Sequence, residues 1–195
     1  MDLLILNTKI LSFNKPTSEF EVYCFAHNIS CLPLIVQTLI NKSIKKIHIL
    51  GNNEIISGVS VFEVNKAFYE ENGITVIEIP YQEKIIHTKI ESDFILSWFI
   101  KKGVNKLVII SPLFHILRST MTIITSVIDN NYKINIIPIS NNIDDWDKKF
   151  ITHQGKNKNT IWNLINDEFE RIKKYQIKGD IKDESVILKY LKSIK

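Results

Sequence analysis

The sequence predicts a doubly wound α/β domain: about five parallel strands, helices on both faces, and a helical tail at the C-terminus. Three observations predict it. Short runs rich in Val and Ile alternate with longer segments of helical pattern. Helical segments close at glycine, at Asn72-Gly73 and again at Gly103. The run Val108-Ile109-Ile110-Ser111 is too short for a helix and stops at Pro112, and a helix-like segment follows it directly. Alternation at this pitch implies right-handed crossovers between parallel strands.

Taken in order, Leu3 to Phe13 reads as a helix. Phe20 to Ala26 is the first strand, and His27-Asn28-Ile29-Ser30 is a loop leading into a helix over Leu32 to Lys42. Lys45 to Leu50 is the second strand, ending at Gly51-Asn52-Asn53, and a helix runs from about Val59 to Glu71. Ile74 to Ile79 forms the third strand, stopped by Pro80, before a helix over Thr88 to Lys101. Val104 to Ser111 is the fourth strand and His115 to Asp129 its helix; Lys133 to Ile139 is the fifth. Asn141 to Asn159 is polar and loop-rich. Thr160 to Tyr175 and Ser185 to Ile194 read as closing helices separated by Gly179-Asp180. All 195 residues are assigned to one domain, with a core over about 20–140 and an extension over about 157–195.

Composition narrows the function. With 45% hydrophobic residues the chain can bury a substantial core. Its net charge of +4 comes from scattered lysines, not from a basic stripe with interleaved aromatics, so nucleic acid is not the expected partner. Cys24 and Cys31 make no disulfide framework and no zinc-ligand spacing, and they read as buried thiols of a reducing compartment. Met1 to Leu6 lacks a signal-peptide pattern, and no apolar run reaches the ~18 residues of a membrane span. The expectation is a soluble cytoplasmic protein.

Candidate site residues follow from the strand ends, because ligands of open α/β sheets bind at the carboxyl edge. The first strand delivers His27 and Asn28, the second Gly51, Asn52 and Asn53, and the fourth Ser111. Thr88 opens a helix, as its expected N-cap. Glu63 stands at the start of another, where a carboxylate suits the dipole or reaches a ligand diol or Arg118. His115 and Arg118, three residues apart, share one face of the helix after the fourth strand. An imidazole there suits acid/base chemistry near neutral pH, and Arg118 suits an anion. No GxGxxG, GxxxxGK[ST] or GxSxG pattern is present.

Several of these motifs together resemble the YdcF-like family, which also holds the SanA and ElyC envelope proteins, over roughly residues 20–140. Leu50-Gly51-Asn52 matches one glycine of the family's Ser-Gly-Gly strand end, and Glu63 fits its helix-start glutamate. His87-Thr88-Lys89-Ile90-Glu91 keeps the threonine of its Asn-Thr-x-Glu-Asn motif, with Ile90 and Glu91 replacing the Glu and Asn. Phe114-His115-Ile116-Leu117-Arg118 meets its aromatic-His-x-x-Arg motif in full. The tail from Glu168 to Asp180 is similar to that of cytoplasmic members. The resemblance implies a Rossmann-like fold and a small nucleotide-like ligand, S-adenosylmethionine being one proposal for the family.

Two readings stay open. In one, the chain is an enzyme on a phosphorylated or nucleotide-linked metabolite, with His115 as acid/base. In the other, it is a non-catalytic binding or scaffold protein with a partly degenerate site.

Overall fold

The computed structural model describes residues 3–13, 19–25, 29–51, 55–56, 59–81, 87–141, 146–151 and 158–194. Helix α1 (Leu3–Leu11) precedes strand β1 (Glu21–Cys24), which leads through a short 3-10 turn at Ile29–Cys31 into α2 (Leu32–Asn41). Then come β2 (Lys46–Gly51), α3 (Val61–Glu71), β3 (Thr75–Pro80), α4 (Thr88–Lys101), β4 (Lys106–Ser111), α5 (Leu113–Asp129) and β5 (Asn135–Ser140). Helices α6 (Ile161–Ile177) and α7 (Glu184–Ser193) close the chain.

The five strands are all parallel, in the order β3-β2-β1-β4-β5. That is the Rossmann-like arrangement the sequence predicts. The chain winds outward from β1 to β3, returns to β4 and winds outward again. The reversal lies between β1 and β4, and the crevice beyond the carboxyl ends of these two strands is where such sheets take ligands. Tyr23 of β1 stands opposite His48 on one side and Ile109 on the other, which fixes the register at the centre.

Alternation along the strands feeds two helical layers. Val22, Cys24, Ile47, Ile49, Val108 and Ile110 point to α2 and α3, where Leu32, Ile35, Leu39, Phe62 and Tyr69 cover them. Tyr23, Leu50, Leu107, Ile109 and Ile136 point the other way, onto α1, α4 and α5. Each aliphatic side chain so buried contributes about 1.5–3 kcal/mol relative to exposure. The tail joins this second layer, since Ile172 of α6 and Ile187 and Leu191 of α7 lie in the same cluster.

Local chemistry explains the element ends. Pro33 starts α2 where its missing N–H costs nothing. The Ser60 hydroxyl accepts from the Glu63 amide at 3.3 Å and caps α3. Gly73 and Gly103 close α3 and α4 at φ of +76° and +72°, which side chains disfavour. Helix α5 begins two residues earlier than expected because Pro112 takes the N-cap position, and the Leu113 amide donates to Asn141 Oδ1 at 3.0 Å. Two short antiparallel hairpins were not foreseen. They pair Ile55–Ile56 with Val59–Ser60, and Lys149–Ile151 with Lys158–Thr160. The second falls in the stretch expected to be loop, and its strands are too short to show a pattern.

Cys24 and Cys31 are buried free thiols, as expected; burial pushes the Cys31 thiol up to about 11. Among the described residues no helix is long and apolar enough to cross a membrane.

Candidate functional site

The first two turns of α5 carry the two residues singled out by sequence. His115 and Arg118 face across to α6, where both meet Glu168. The His115 Nδ1–H donates to Glu168 Oε2 at 3.3 Å. Arg118 approaches the carboxylate side-on, with Nε donating to Oε2 and Nη2 to Oε1. Arg171, one turn further along α6, donates to Oε1 as well. Glu168 is thus a carboxylate with only 4% of its side chain exposed, held by one imidazole and two guanidinium groups.

Arg118 also reaches across the layer. Its Nη1 donates to the Thr88 hydroxyl at 2.7 Å, joining the start of α4 to α5. Its guanidinium lies 5.8 Å from the centre of the Tyr175 ring. Three of the five guanidinium N–H groups are used in these bonds, which leaves two for something else.

The charge states follow from this packing. Burial favours a neutral Glu168, but the hydrogen bonds from His115 and Arg118 and the Arg118 charge outweigh it and hold the carboxyl well below the usual carboxylate range. Burial, reinforced by the neighbouring Arg118, pushes His115 below its ordinary 6.5 against the pull of Glu168. A neutral imidazole donating from Nδ1 to an ionised Glu168 keeps a lone pair on Nε2.

Beside this cluster lies a second buried polar pair. The Tyr23 hydroxyl donates to Glu91 Oε1 at 2.6 Å, and both residues are buried. Burial, then the Glu91 charge, pushes Tyr23 well above its ordinary value. Phe25 packs edge-on to Tyr23 at 4.9 Å and to His115 at 6.4 Å, so the two polar groups share an aromatic wall.

Sequence-predicted residues are distributed as follows. Thr88, His115 and Arg118 come together directly through Arg118 and Glu168. Gly51 and Ser111 end β2 and β4 at the same carboxyl edge. Ser111 is fully buried, its hydroxyl has no hydrogen-bond partner, and by alternation it shares the α4–α5 face with Ile109. The space over Gly51 on the opposite face is filled by Glu78, whose carboxylate would lie 2.1 Å from an added Cβ. Glu63 stands exposed in the first turn of α3, on the layer opposite α5, and the carboxylate that meets Arg118 is Glu168. Thr88 is not the cap of α4. That position is His87, and the Thr88 hydroxyl accepts from Arg118 instead. His27, Asn28, Asn52 and Asn53 lie outside the described residues.

Glu168 is the residue that reading the sequence missed. The signal was there: Ile161, Leu164, Ile165, Glu168 and Ile172 make one buried stripe of α6, so a carboxylate occupies an apolar position with Arg171 three residues on. Tyr175 and Asp180 continue the same wall.

A cleft opens beside the cluster, lined by His87, Thr88, Lys89, Arg118 and Thr122 on one side and by Tyr175, Asp180 and Ile181 on the other. Its cavity volume is about 10 Å³, room for about one water, and it opens to the surface. No group of His, Cys, Asp and Glu suited to a metal ion occurs among the described residues. Set against known proteins, the chain finds no counterpart: no protein-family model, no curated protein and no solved structure matches it.

Proposed function

We propose that the chain binds a small anionic or nucleotide-like metabolite at the carboxyl edge of the sheet, with Arg118 as the anchor. One observation carries this reading. Arg118 is held side-on by Glu168 and from the end by Thr88, so its two remaining N–H groups are oriented in advance at the cleft. A fixed fork loses little freedom when it takes an oxyanion. The start of α4 places a helix N-terminus beside the same guanidinium. The motif match at Phe114-His115-Ile116-Leu117-Arg118 supports the same residues through the resemblance to the YdcF-like family.

In the enzymatic form of this reading His115 is the acid/base. Its Nδ1 is engaged by Glu168, which orients the ring and leaves Nε2 to exchange a proton. The binding-only form is favoured by Glu91. It stands where the family has an Asn and is buried under Tyr23, so it is taken up in packing. The reading places the chain in the cytoplasm, with a small molecule as partner and no role for nucleic acid or membrane.

The test is a thermal-shift screen of inorganic phosphate, adenosine monophosphate and S-adenosylmethionine, since a site ligand raises the melting temperature by mass action. Calorimetric titration with the best of them follows, on wild type, Arg118→Ala and Arg118→Lys. Charge-assisted hydrogen bonds are worth about 1.5–3 kcal/mol each, so Arg118→Ala weakens binding roughly tenfold to a hundredfold. Lys restores only part of it. Equal affinities in all three proteins would remove Arg118 from the site.

A further inference from the structure

We infer that the protein pairs with a second copy of itself along β3, the two strands running antiparallel about a two-fold axis at Ile77.

The sheet has two edges, and they are finished differently. In β5 the odd residues face β4, since the Asn135 amide donates to Asn105 O at 2.8 Å, so Ile134 and Ile136 face outward. The Tyr190 hydroxyl of α7 takes both of the groups that a further strand would need there. It donates to Ile134 O at 2.5 Å and accepts from the Ile136 amide at 3.0 Å. Pro138, the next outward residue, has no N–H, so no donor is left before Ser140. That edge is closed against pairing.

The β3 edge is open. The Thr75 amide donates to Lys45 O at 2.8 Å and the Tyr81 amide to Gly51 O at 3.0 Å, so the odd residues face β2 and Val76 and Glu78 face outward. Their two amides and two carbonyls have no partner among the described residues. Apolar surface runs alongside. Ile77 is half-buried, and Ile90, Phe94 and Trp98 recur every four residues along α4, each partly exposed. Tyr81, which follows β3, packs on Phe94 at 4.6 Å. Trp98 packs at 5.3 Å on His48, the β2 residue opposite Ile77, so this stripe borders the open strand.

A second copy of the chain fits these groups. With the axis at Ile77, Val76 of each copy lies opposite Glu78 of the other, and each such pair exchanges both N–H···O bonds, four in all. The two carboxylates do not face each other. The neighbouring symmetric registers fail. An axis at Val76 calls on the Ile74 amide, which already donates to Tyr69 O at 3.0 Å. An axis at Glu78 sets two carboxylates opposite each other and calls on Pro80, which has no N–H. The axis at Ile77 also brings the α4 stripes of both copies together, which gives the interface an apolar flank. Because the β5 edge is closed, pairing stops at two chains and does not run on into a filament.

Sedimentation equilibrium of the full chain tests this, and wild type has twice the 22.7 kDa mass of one chain. Val76→Pro removes an outward N–H that makes no bond within the chain, and it raises the dimer dissociation constant roughly tenfold to a hundredfold. Ile77→Lys sets two ammonium groups against each other on the axis and gives monomer. Circular dichroism melts show that each variant is folded. The register is read by crosslinking. Ile77→Cys stands about 4.5 Å, Cα to Cα, from its own copy and oxidises to a covalent dimer, whereas Thr75→Cys lies opposite Ile79 and does not. Cys24 and Cys31 are buried, so wild type is the blank. A monomeric wild type overturns the inference whatever the variants do. So does a dimer unmoved by both Val76→Pro and Ile77→Lys, or a Thr75→Cys protein that crosslinks as readily as Ile77→Cys.

Discussion

The two faces of the sheet are built from the same strands but do different work. The α2–α3 layer is mostly aliphatic: Leu32, Ile35, Leu39 and Phe62 meet Ile47, Ile49 and Ile110, and Cys24 Sγ meets the Tyr69 hydroxyl at 3.3 Å. The α4–α5–α6 layer holds Tyr23–Glu91 and the His115, Arg118, Glu168 and Thr88 network within an otherwise comparable core. The difference comes from position. Helix α5 is covered by α1, α4, α6 and α7, so polar groups on it are removed from water and must find partners inside the protein. Several of its hydroxyls do so by bonding back, Thr122 to Arg118 O and Thr125 to Met121 O, both at 2.7 Å. A layer that buries charge is one where charge has been organised.

Breaking the network tests this contrast most strongly. Glu168→Ala leaves two guanidinium groups and an imidazole without their carboxylate, and removing one partner of a buried ion pair costs about 3–5 kcal/mol. Urea denaturation at pH 7 measures it. Glu168→Gln keeps the shape and loses less. In the α2–α3 layer, Ile35→Ala costs about 2–5 kcal/mol through the cavity it leaves, and that loss is the same above and below pH 4.5, whereas the loss from Glu168→Ala shrinks below it. Equal pH dependence for the two variants would erase the distinction between the layers.

Thr88→Val is smaller, about 1.5–3 kcal/mol, because it removes one acceptor from a charged donor. The measurement is the same denaturation midpoint, with binding of phosphate read alongside. A loss of stability with no loss of binding would make Thr88 a strut for α4 and α5 alone.

The pH response has a definite sign. Below the ordinary histidine value of 6.5 the unfolded chain takes up a proton at residue 115 that the folded chain refuses, so stability falls as pH drops through that range. His48, pushed down chiefly by its burial against Trp98 and Phe99, acts in the same direction. Below 4.5 the unfolded chain protonates Glu168 while the folded one keeps it ionised, and stability falls again. His115→Phe therefore flattens the first decline and Glu168→Gln the second. A wild type that gains stability between pH 7 and 5 would contradict the histidine assignments, and one that gains it as pH falls below 4.5 would contradict that of Glu168.

The smallest effect is expected at Gly51. Its added Cβ would meet only the far end of the exposed Glu78 side chain, which can swing away, so Gly51→Ala costs under about 1 kcal/mol. If binding of phosphate is lost while stability is kept, the backbone there is part of the site.

Much of the fold was legible because β-branched runs and glycine stops are local signals. Strands β2 to β5 fall within two residues of their expected limits, and α4 spans Thr88 to Lys101 as read. The site was half legible. His115 and Arg118 stand out because they follow a buried strand. Glu168 did not, since its role depends on α6 folding back over α5 from 50 residues away. Thr88 was assigned the helix cap because a hydroxyl at a helix start caps by default, and only the nearby guanidinium diverts it.

The central claim is that Glu168 fixes Arg118 so that its remaining N–H groups meet an anion. The chain has two arginines, Arg118 and Arg171, so their side-chain Nε–H signals are readily assigned by comparing wild type with Arg171→Lys in a ¹H–¹⁵N spectrum. The account predicts a slowly exchanging Arg118 Nε–H signal in wild type that is lost to fast exchange in Glu168→Gln and that shifts on saturation with inorganic phosphate. An Arg118 signal that exchanges freely in wild type, or that stays in place as the probe is added, would contradict it.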